Sequence, residues 1–526
     1  VVTSRLEIDL SAVDRNLGII RGVLADPPLS AAGRSKTSGG GRGPVAVCAV
    51  LKQDGYGLGA VRMAKRLVGG RDTGGAGLGG GAGGVEMIAV YTLDEARVIA
   101  ESVANVPILV LMPVTGIDRM DPVYRHLTGG RIHLTLHSDD QLRQLAEMSV
   151  RIGATLPLHV QVDTGLSRGG SMPEQARKLV ERLIATPRAK LSGLMTHFAS
   201  PCCDGPFTRE QARLFRDFVE SIKPVLKAAV TSAAGGGAGG GSVSPHELSL
   251  HASNSCAMFR ARSYHGTMVR VGQAMLGFAL EDLGSDERSV FEFGEAAARL
   301  EPVMRWTTTI AHIGEIPAGW PVGYGSVWRA PWRADGKMTR IALVPVGYAD
   351  GYPRALGGRG TGGPGYVGLT GRAWVRKSGG ESDDAGATEG ARRETLYAPV
   401  VGRVSMDQIT IDVTDIPEQY LTGSGPIGAL DAGPEVELFS KVRGAPNFIS
   451  TMAGAAGSIT HEQLCRIGAR VERTYRYPAT SATGGMGGGG LIAPVKFETV
   501  VPSIRPTPAR DGRSGEGMGG IAALAQ

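Results

Sequence analysis

Val45-Ala46-Val47-Cys48-Ala49-Val50-Leu51-Lys52-Gln53-Asp54-Gly55-Tyr56-Gly57 is the stretch on which the reading of this chain turns. An apolar run from Val45 to Leu51 ends on a lysine and then breaks into Gln-Asp-Gly. No polar alternation marks a solvent face, so the run predicts a strand buried on both faces, as in a parallel sheet covered by helices. Lys52 then stands at the carboxyl end of a buried strand, where βα-barrel enzymes place their chemistry. Desolvation there disfavours the ammonium form, and a neutral amine is what attacks an aldehyde. A lysine that ends a strand by reaching water is the plain alternative, and Lys52 alone does not separate the two.

Upstream, Leu6-Glu7-Ile8-Asp9-Leu10 alternates apolar and acidic residues and predicts a half-buried strand, with Ser11 capping the helix that follows. Downstream, Thr92-Leu93-Asp94-Glu95 is a capped helix start. Ile108 to Met112, Ile132 to Leu136, Leu158 to Val162 and Leu191 to Met195 predict short buried strands, with helices over Asp139 to Met148 and Pro173 to Ile184 between them. This alternation implies a parallel sheet and suits a (βα)8 barrel; a doubly wound sheet fits the periodicity nearly as well. From about residue 286 the texture changes. Met304 to Ile313, Arg340 to Val346, Leu396 to Val404, Gln408 to Val413 and Glu435 to Leu438 read as strands separated by Gly and Pro, followed by a helix over His461 to Arg466. A mainly β second domain follows from that pattern.

Composition narrows the function classes. The chain has 526 residues and a formal net charge of +6, with no dense Lys/Arg block interleaved with aromatics, so nucleic acid is not an expected partner. No apolar run approaches the ~20 residues of a membrane span, and no secretory leader is visible at Val1-Val2-Thr3-Ser4. Cys48, Cys202, Cys203, Cys256 and Cys465 show no metal-ligand spacing, so no metal is expected; their odd number suits packing thiols in a reducing cytoplasm better than a disulfide framework. Glycine is the anomaly, with 79 residues. Much of it lies in patches (Thr37 to Gly43, Gly69 to Gly84, Ala233 to Gly241, Gly357 to Gly365, Gly484 to Gly490), expected to be flexible loops inserted into a smaller core.

Several motifs carry candidate chemistry. Asp163-Thr164-Gly165-Leu166-Ser167-Arg168 puts an arginine just past a strand end, where a capped turn with an Asp–Arg pair is an equal reading. His197 follows the next strand, and a lone histidine among apolar residues is commonly a hydrogen-bonded structural group. Asn254-Ser255 and Arg270-Val271-Gly272-Gln273 pair a serine with backbone amides near Gly272 and Gln273, which suits a phosphate cradle. Gly323-Tyr324-Gly325, read alone, is a turn with an aromatic.

Taken in order, these motifs resemble the alanine racemase family. Ala49-Val50-Leu51-Lys52-Gln53-Asp54-Gly55-Tyr56 is similar to its pyridoxal-phosphate lysine motif, in which the lysine carries the cofactor and the tyrosine four residues on contacts its phosphate. The resemblance implies that Ser255, Gly272 and Gln273 hold the phosphate, with Asn254 in the same motif, and that Arg270 faces the pyridine nitrogen. A guanidinium can only donate, so that nitrogen stays unprotonated and the ring is a weaker electron sink. It implies that Arg168 meets the substrate carboxylate and the catalytic tyrosine, and that His197 orients this network. Tyr324 resembles the family's tyrosine, which enters the partner subunit's site, so Lys52 and Tyr324 become the two bases on opposite faces of Cα. The backbone at Ser405-Met406 is implied to meet the carboxylate, and Tyr348, Arg354, Arg403 and Asp407 to line the path of the substrate.

One motif departs from the family. Gly457-Ser458-Ile459-Thr460-His461-Glu462 stands where many alanine racemases carry Thr-Ile-Asn-Tyr-Glu. His461 can still donate to a phosphate, and when protonated would add charge there.

The expectation is therefore an α/β protein with an N-terminal (βα)8 TIM-type barrel over residues 1–285 and a mainly β C-terminal domain over 286–478. Residues 4–10 are candidates to join the second domain, and a flexible Gly/Pro-rich tail is expected over 479–526. The resemblance implies a cytoplasmic homodimer with shared active sites, bound to pyridoxal 5′-phosphate, interconverting L- and D-alanine for peptidoglycan. A broad-specificity or serine racemase is the alternative, and a non-catalytic cofactor carrier is the alternative of another class.

Overall fold

The computed structural model describes residues 4–25, 44–68, 84–234, 248–280, 283, 285–358, 365–374, 391–422, 434–477 and 497–500. The glycine-rich patches lie almost wholly outside these described residues.

Eight parallel strands run round a barrel in the order Met268–Val271, Ala46–Val50, Met87–Val90, Ile108–Val110, Ile132–Leu136, Leu156–Gln161, Ala189–Met195 and Ser249–His251. Two backbone hydrogen bonds close the ring between its first and last members, Thr267 N–H to Leu250 O and Arg270 N–H to Ser253 O, both 2.9 Å. This is the barrel rather than the doubly wound sheet. Ala46–Val50 is buried on both faces for the expected reason. Cys48 and Val50 pack into the barrel interior with Met87, Leu109, Met195 and Met268, while Val47 and Ala49 join the core beneath the outer helices. Helices such as Leu93–Ser102, Asp139–Ile152, Pro173–Ala185 and Gly205–Ala234 return the chain between strands.

The second sheet is built mainly after residue 303, with His312–Ile316, Thr339–Val344, Ile409–Asp412, Ala391–Val401, Tyr366–Trp374, Glu435–Phe439 and Met304–Thr309 side by side. Trp306, Tyr352 and Phe439 pack at its centre, Trp306 edge-on to Phe439 with ring centroids 5.3 Å apart and Tyr352 stacked on Phe439 at 6.0 Å. The first strand of the chain, Ser4–Asp9, belongs to this sheet: it runs antiparallel to Met304–Thr309 and parallel to Glu472–Arg476. Its inner residues are buried in alternation, as its apolar–acidic pattern dictates.

Local details differ from the sequence reading. The first helix starts at Leu10, and its cap is Asp9, whose carboxylate accepts from Ser11 N–H and Ala12 N–H. Asp9, the last residue of the strand, is extended and its carboxylate reaches the free N–H groups of the first turn, in which Ser11 already lies. Met304 to Ile313 is two strands, broken between Thr309 and His312 where the chain passes from one neighbour to another. Of the expected tail, Phe497–Val500 adds an antiparallel strand beside Glu472–Arg476, and its other residues lie outside the described residues. Cys202 is not a solitary thiol, because it is joined to Cys256 in a disulfide. No helix is long and apolar enough to cross a membrane, and no group of metal-ligating side chains occurs among the described residues.

Candidate active site

Every barrel residue singled out in the sequence lies at the carboxyl ends of the strands. Lys52 follows Ala46–Val50, Arg168 rides on the loop after Leu156–Gln161, and His197 follows Ala189–Met195. Asn254 and Ser255 follow Ser249–His251, and Gly272 and Gln273 follow Met268–Val271.

Lys52 opens a left-handed turn. Gln53, Asp54 and Tyr56 have φ of 54°, 49° and 61°, a region that costs L-residues roughly 1–2 kcal/mol each and collects at functional sites. Glu95 pins it: one carboxylate oxygen accepts from Gln53 N–H at 2.5 Å, the other from Tyr91 N–H and Thr92 N–H at 2.8 and 3.1 Å. In the sequence Glu95 belongs to a capped helix start, and the capping box with Thr92 is present. Its second task was invisible because the turn it holds is 42 residues away.

The Lys52 amine is held below its ordinary pKa, first by burial and then by the nearby Arg168 cation. No carboxylate pairs with it, and Arg168 likewise has no ion pair among the described residues. Asp163 does not pair with Arg168; its carboxylate accepts instead from Gly165, Leu166 and Ser167 N–H at 2.9–3.1 Å and shapes the loop. The loop closes on itself through Asp163 N–H to Ser171 O, at 2.8 Å.

Arg270 is 4 % exposed, a cation inside the barrel. Its guanidinium donates to Thr196 O at 2.6 Å, to His251 O at 2.5 Å, to His251 Nδ1 at 3.0 Å and to His197 Nδ1 at 3.2 Å. Burial pushes it down to about 10, so it stays charged at neutral pH. Burial, with Arg270, Arg168 and Lys52 nearby, pushes the His197 imidazole down to about 3, which leaves it neutral.

Beside Arg270 is a small polar cradle. The Ser255 hydroxyl accepts from Gly272 N–H and Ala274 N–H, both at 3.2 Å, which draws the serine onto the turn that carries Gly272 and Gln273. Asn254 caps the short helix that begins at Ser255, accepting from Ala257 N–H at 3.0 Å. A Cβ at Gly272 would lie 2.1 Å from the Tyr56 hydroxyl, so only glycine admits that phenol. Gln273 contributes its side chain, whose amide donates to His461 Nδ1 at 2.6 Å, and the His461 ring leans on Tyr56 with centroids 5.9 Å apart. Burial, then Lys52, push His461 down to about 4. It is therefore neutral near neutral pH and would meet a phosphate as an uncharged donor.

The β domain reaches this mouth through the helix Thr460–Arg466, which carries His461 and packs its Leu464 carbonyl against Gly57. Tyr324 and Met406 stand elsewhere, 72 % and 53 % exposed. Among the described residues no hydrogen bond, ion pair or ring contact joins either to Lys52 or Arg270. Tyr324 sits between Gly323 and Gly325, both with left-handed φ, next to Arg403. The Met406 loop is stitched to the Tyr348 loop by Tyr348 N–H to Ser405 O and Ala349 N–H to Met406 O, at 3.0 and 2.9 Å. Arg470 spans Asp350 and Asp407 behind it.

A closed parallel barrel whose carboxyl end holds a half-buried lysine with no ion pair among the described residues, a small polar cradle and a buried arginine, followed by a β domain that touches that end, is an architecture suited to a barrel enzyme with an anionic ligand. Its sequence matches the profile described as alanine racemase, N-terminal domain, over residues 8–239, and that of the alanine racemase, C-terminal domain, over residues 303–373 and 385–475. The chain belongs to the alanine racemase family, and is an isomerase. It is 29 % identical over 471 residues to the alanine racemase of Desulfovibrio desulfuricans, covering 89 % of this chain and 97 % of that one. Its fold is that of alanine racemase from the D-cycloserine producer Streptomyces lavendulae (TM-score 0.63, 24 % identity, 92 % and 98 % covered). The same holds for the Bartonella henselae alanine racemase solved with covalently bound pyridoxal phosphate (TM-score 0.61, 20 % identity, 90 % and 100 % covered).

Proposed function

We propose that this protein interconverts L- and D-alanine with pyridoxal 5′-phosphate held at Lys52, acting as a homodimer in which Tyr324 completes the partner subunit's site. The observation that carries the reading is the convergence, at one end of the barrel, of an amine with no ion-pairing carboxylate among the described residues, a small polar cradle and a buried guanidinium. The residues fit the cofactor chemically. The hydroxyls of Tyr56 and Ser255, the Gln273 backbone amide and His461 Nε2 would offer donors to a phosphate, on a turn fixed by the Gly272 and Ala274 amides that donate to Ser255, and Gly272 leaves room where a Cβ would collide. Lys52 has its ammonium form disfavoured, which suits attachment to a carbonyl carbon.

The cofactor, when bound, supplies a carbonyl for attachment and a ring that spreads the negative charge left when Cα loses its proton. The remaining work falls to the chain. Arg270, a donor only, would meet the ring nitrogen and keep it an acceptor, which would limit how far charge drains away from Cα. Arg168 binds the substrate carboxylate and favours the phenolate of Tyr324, and the Met406 backbone meets the same carboxylate. Lys52 moves a proton at its Nζ on one face of Cα, and the Tyr324 hydroxyl moves one on the other. His197 accepts from Arg270 and orients this group. The exposure of Tyr324 on a domain away from its own Lys52 supports a role in a second subunit.

Tyr324 and the second domain have no task in a simple cofactor carrier, which weighs against that reading. His461, shorter than the tyrosine of many relatives, keeps a broader racemase as the second reading of substrate range. Borohydride reduction of the cofactor-loaded protein followed by peptide mapping is expected to find the label on Lys52. Label on another lysine, or none, would overturn the assignment.

A further inference from the structure

Three histidines run through the barrel interior and end on Arg270. His133 Nδ1 lies 2.9 Å from His159 Nε2, and His159 Nδ1 lies 2.9 Å from His251 Nε2. His251 Nδ1 lies 3.0 Å from an Arg270 guanidinium nitrogen. His159 and His251 are 0 % exposed. Barrel interiors are ordinarily filled by branched apolar side chains, and each buried ring is costly unless its nitrogens find partners.

Two backbone devices make room for this line. The pairing of Leu156–Gln161 with Ala189–Met195 shifts register between Leu158 and His159, so that His159 stands opposite Gly193. Such an irregularity re-aims the side chain at which it falls. Gly193 leaves the space that the ring fills, because a Cβ there would lie 2.1 Å from His159 Nδ1. The far end of the line opens on the opposite mouth of the barrel. There His133 lines a cavity of about 230 Å³ with Ala46, Lys190, Ser192 and Met268, which stand at or near the strand beginnings.

The line has one direction. A guanidinium only donates, so His251 Nδ1 must accept and its single proton sits on Nε2. That proton is donated to His159 Nδ1, which puts the His159 proton on Nε2, donated in turn to His133 Nδ1. All three rings are then neutral Nε2–H tautomers, and their order is set by Arg270. Hydrogen bonds joined head to tail in a poorly screened interior polarise one another.

We propose that His251, His159 and His133 are positioning residues for Arg270: a one-way hydrogen-bond relay that sets the guanidinium's aim and donor strength from the barrel mouth opposite Lys52. Its chemical consequence rests on the reading above, in which Arg270 donates to the ring nitrogen. The relay itself does not.

The first arm of the test uses the protein without cofactor. Nitrogen-15 NMR of histidine-labelled protein, between about pH 6 and pH 8, is expected to find His133, His159 and His251 as neutral Nε2–H rings. Any of the three as an Nδ1–H ring or an imidazolium would overturn the relay. The second arm uses the holoenzyme. His133→Phe, at the half-buried end, is expected to shift the absorption maximum of the bound cofactor. It should also raise transamination relative to racemisation on the order of tenfold, the effect of weakening one charge-assisted hydrogen bond. His133→Asn, which can still accept from His159, is expected to restore both. His159→Leu should exceed His133→Phe if it folds, and the His133 pair decides the matter if it does not. Unchanged spectrum and partition in His133→Phe, or a His133→Asn no better than His133→Phe, would overturn the coupling. A wild-type protein that binds no pyridoxal phosphate would overturn the reading of the site instead, with the tautomers still deciding the relay.

Discussion

At the scale of single residues, the site is a set of cations and neutral donors with few carboxylates. His133, His197 and His461 are pushed down to about 4, 3 and 4, and His159 and His251 are held well below the ordinary value, in each case chiefly by burial. A histidine so depressed binds fewer protons folded than unfolded between its folded value and about 6.5. Its contribution is therefore fully present above about pH 6.5 and is lost as pH falls towards the folded value. Denaturant midpoints are expected to be flat from about pH 7 to 8 and to fall between about pH 6.5 and 4; a midpoint rising on acidification would contradict the assignment. Gly272→Ala is the sharpest steric test. Its Cβ would meet the Tyr56 hydroxyl at 2.1 Å, so cofactor affinity, read by absorbance titration, should weaken on the order of tenfold or more while the barrel still folds.

Elements explain what the sequence could and could not disclose. Lys52 was legible because a strand buried on both faces carries an unbroken apolar run, and the first polar residue after it is the one facing the mouth. The Ser4–Asp9 strand was legible from its period of two, and the start at Leu93 from its capping box. Lateral relations were not. His133, His159 and His251 each read as an ordinary strand residue, and only the register shift at His159 brings them into one line. The pairing of Cys202 with Cys256 joins a turn to a short helix 54 residues on, which no spacing rule connects. Glu95 is the clearest element-level prediction. Glu95→Ala removes the acceptor for Gln53, Tyr91 and Thr92 N–H, and should cost about 1–3 kcal/mol of stability. Racemisation should fall further than that loss of folded protein explains, with Glu95→Gln recovering part of both. Equal activity per folded molecule in Glu95→Ala would contradict a role in holding the Lys52 turn.

For the whole molecule, the β domain has two tasks: it sets His461 beside Tyr56 over its own barrel, and it presents Tyr324 outward. If Tyr324 serves the neighbouring subunit, Lys52→Ala and Tyr324→Phe damage opposite halves of each site. Mixing the two inactive variants under conditions that exchange subunits should restore roughly a quarter of the wild-type activity, since a hybrid dimer keeps one intact site of two. No recovery, with exchange verified by mass, would place Tyr324 in its own subunit's chemistry. Racemisation at Lys52 is measured by chiral analysis of L-alanine incubated with purified protein and pyridoxal phosphate, alongside Lys52→Ala and parallel runs with L-serine and L-lysine. Conversion to an equal mixture of L- and D-alanine is expected, slower with the other two and lost by at least ~10²-fold in the variant. Cofactor held through Lys52 with no inversion of any substrate would contradict it.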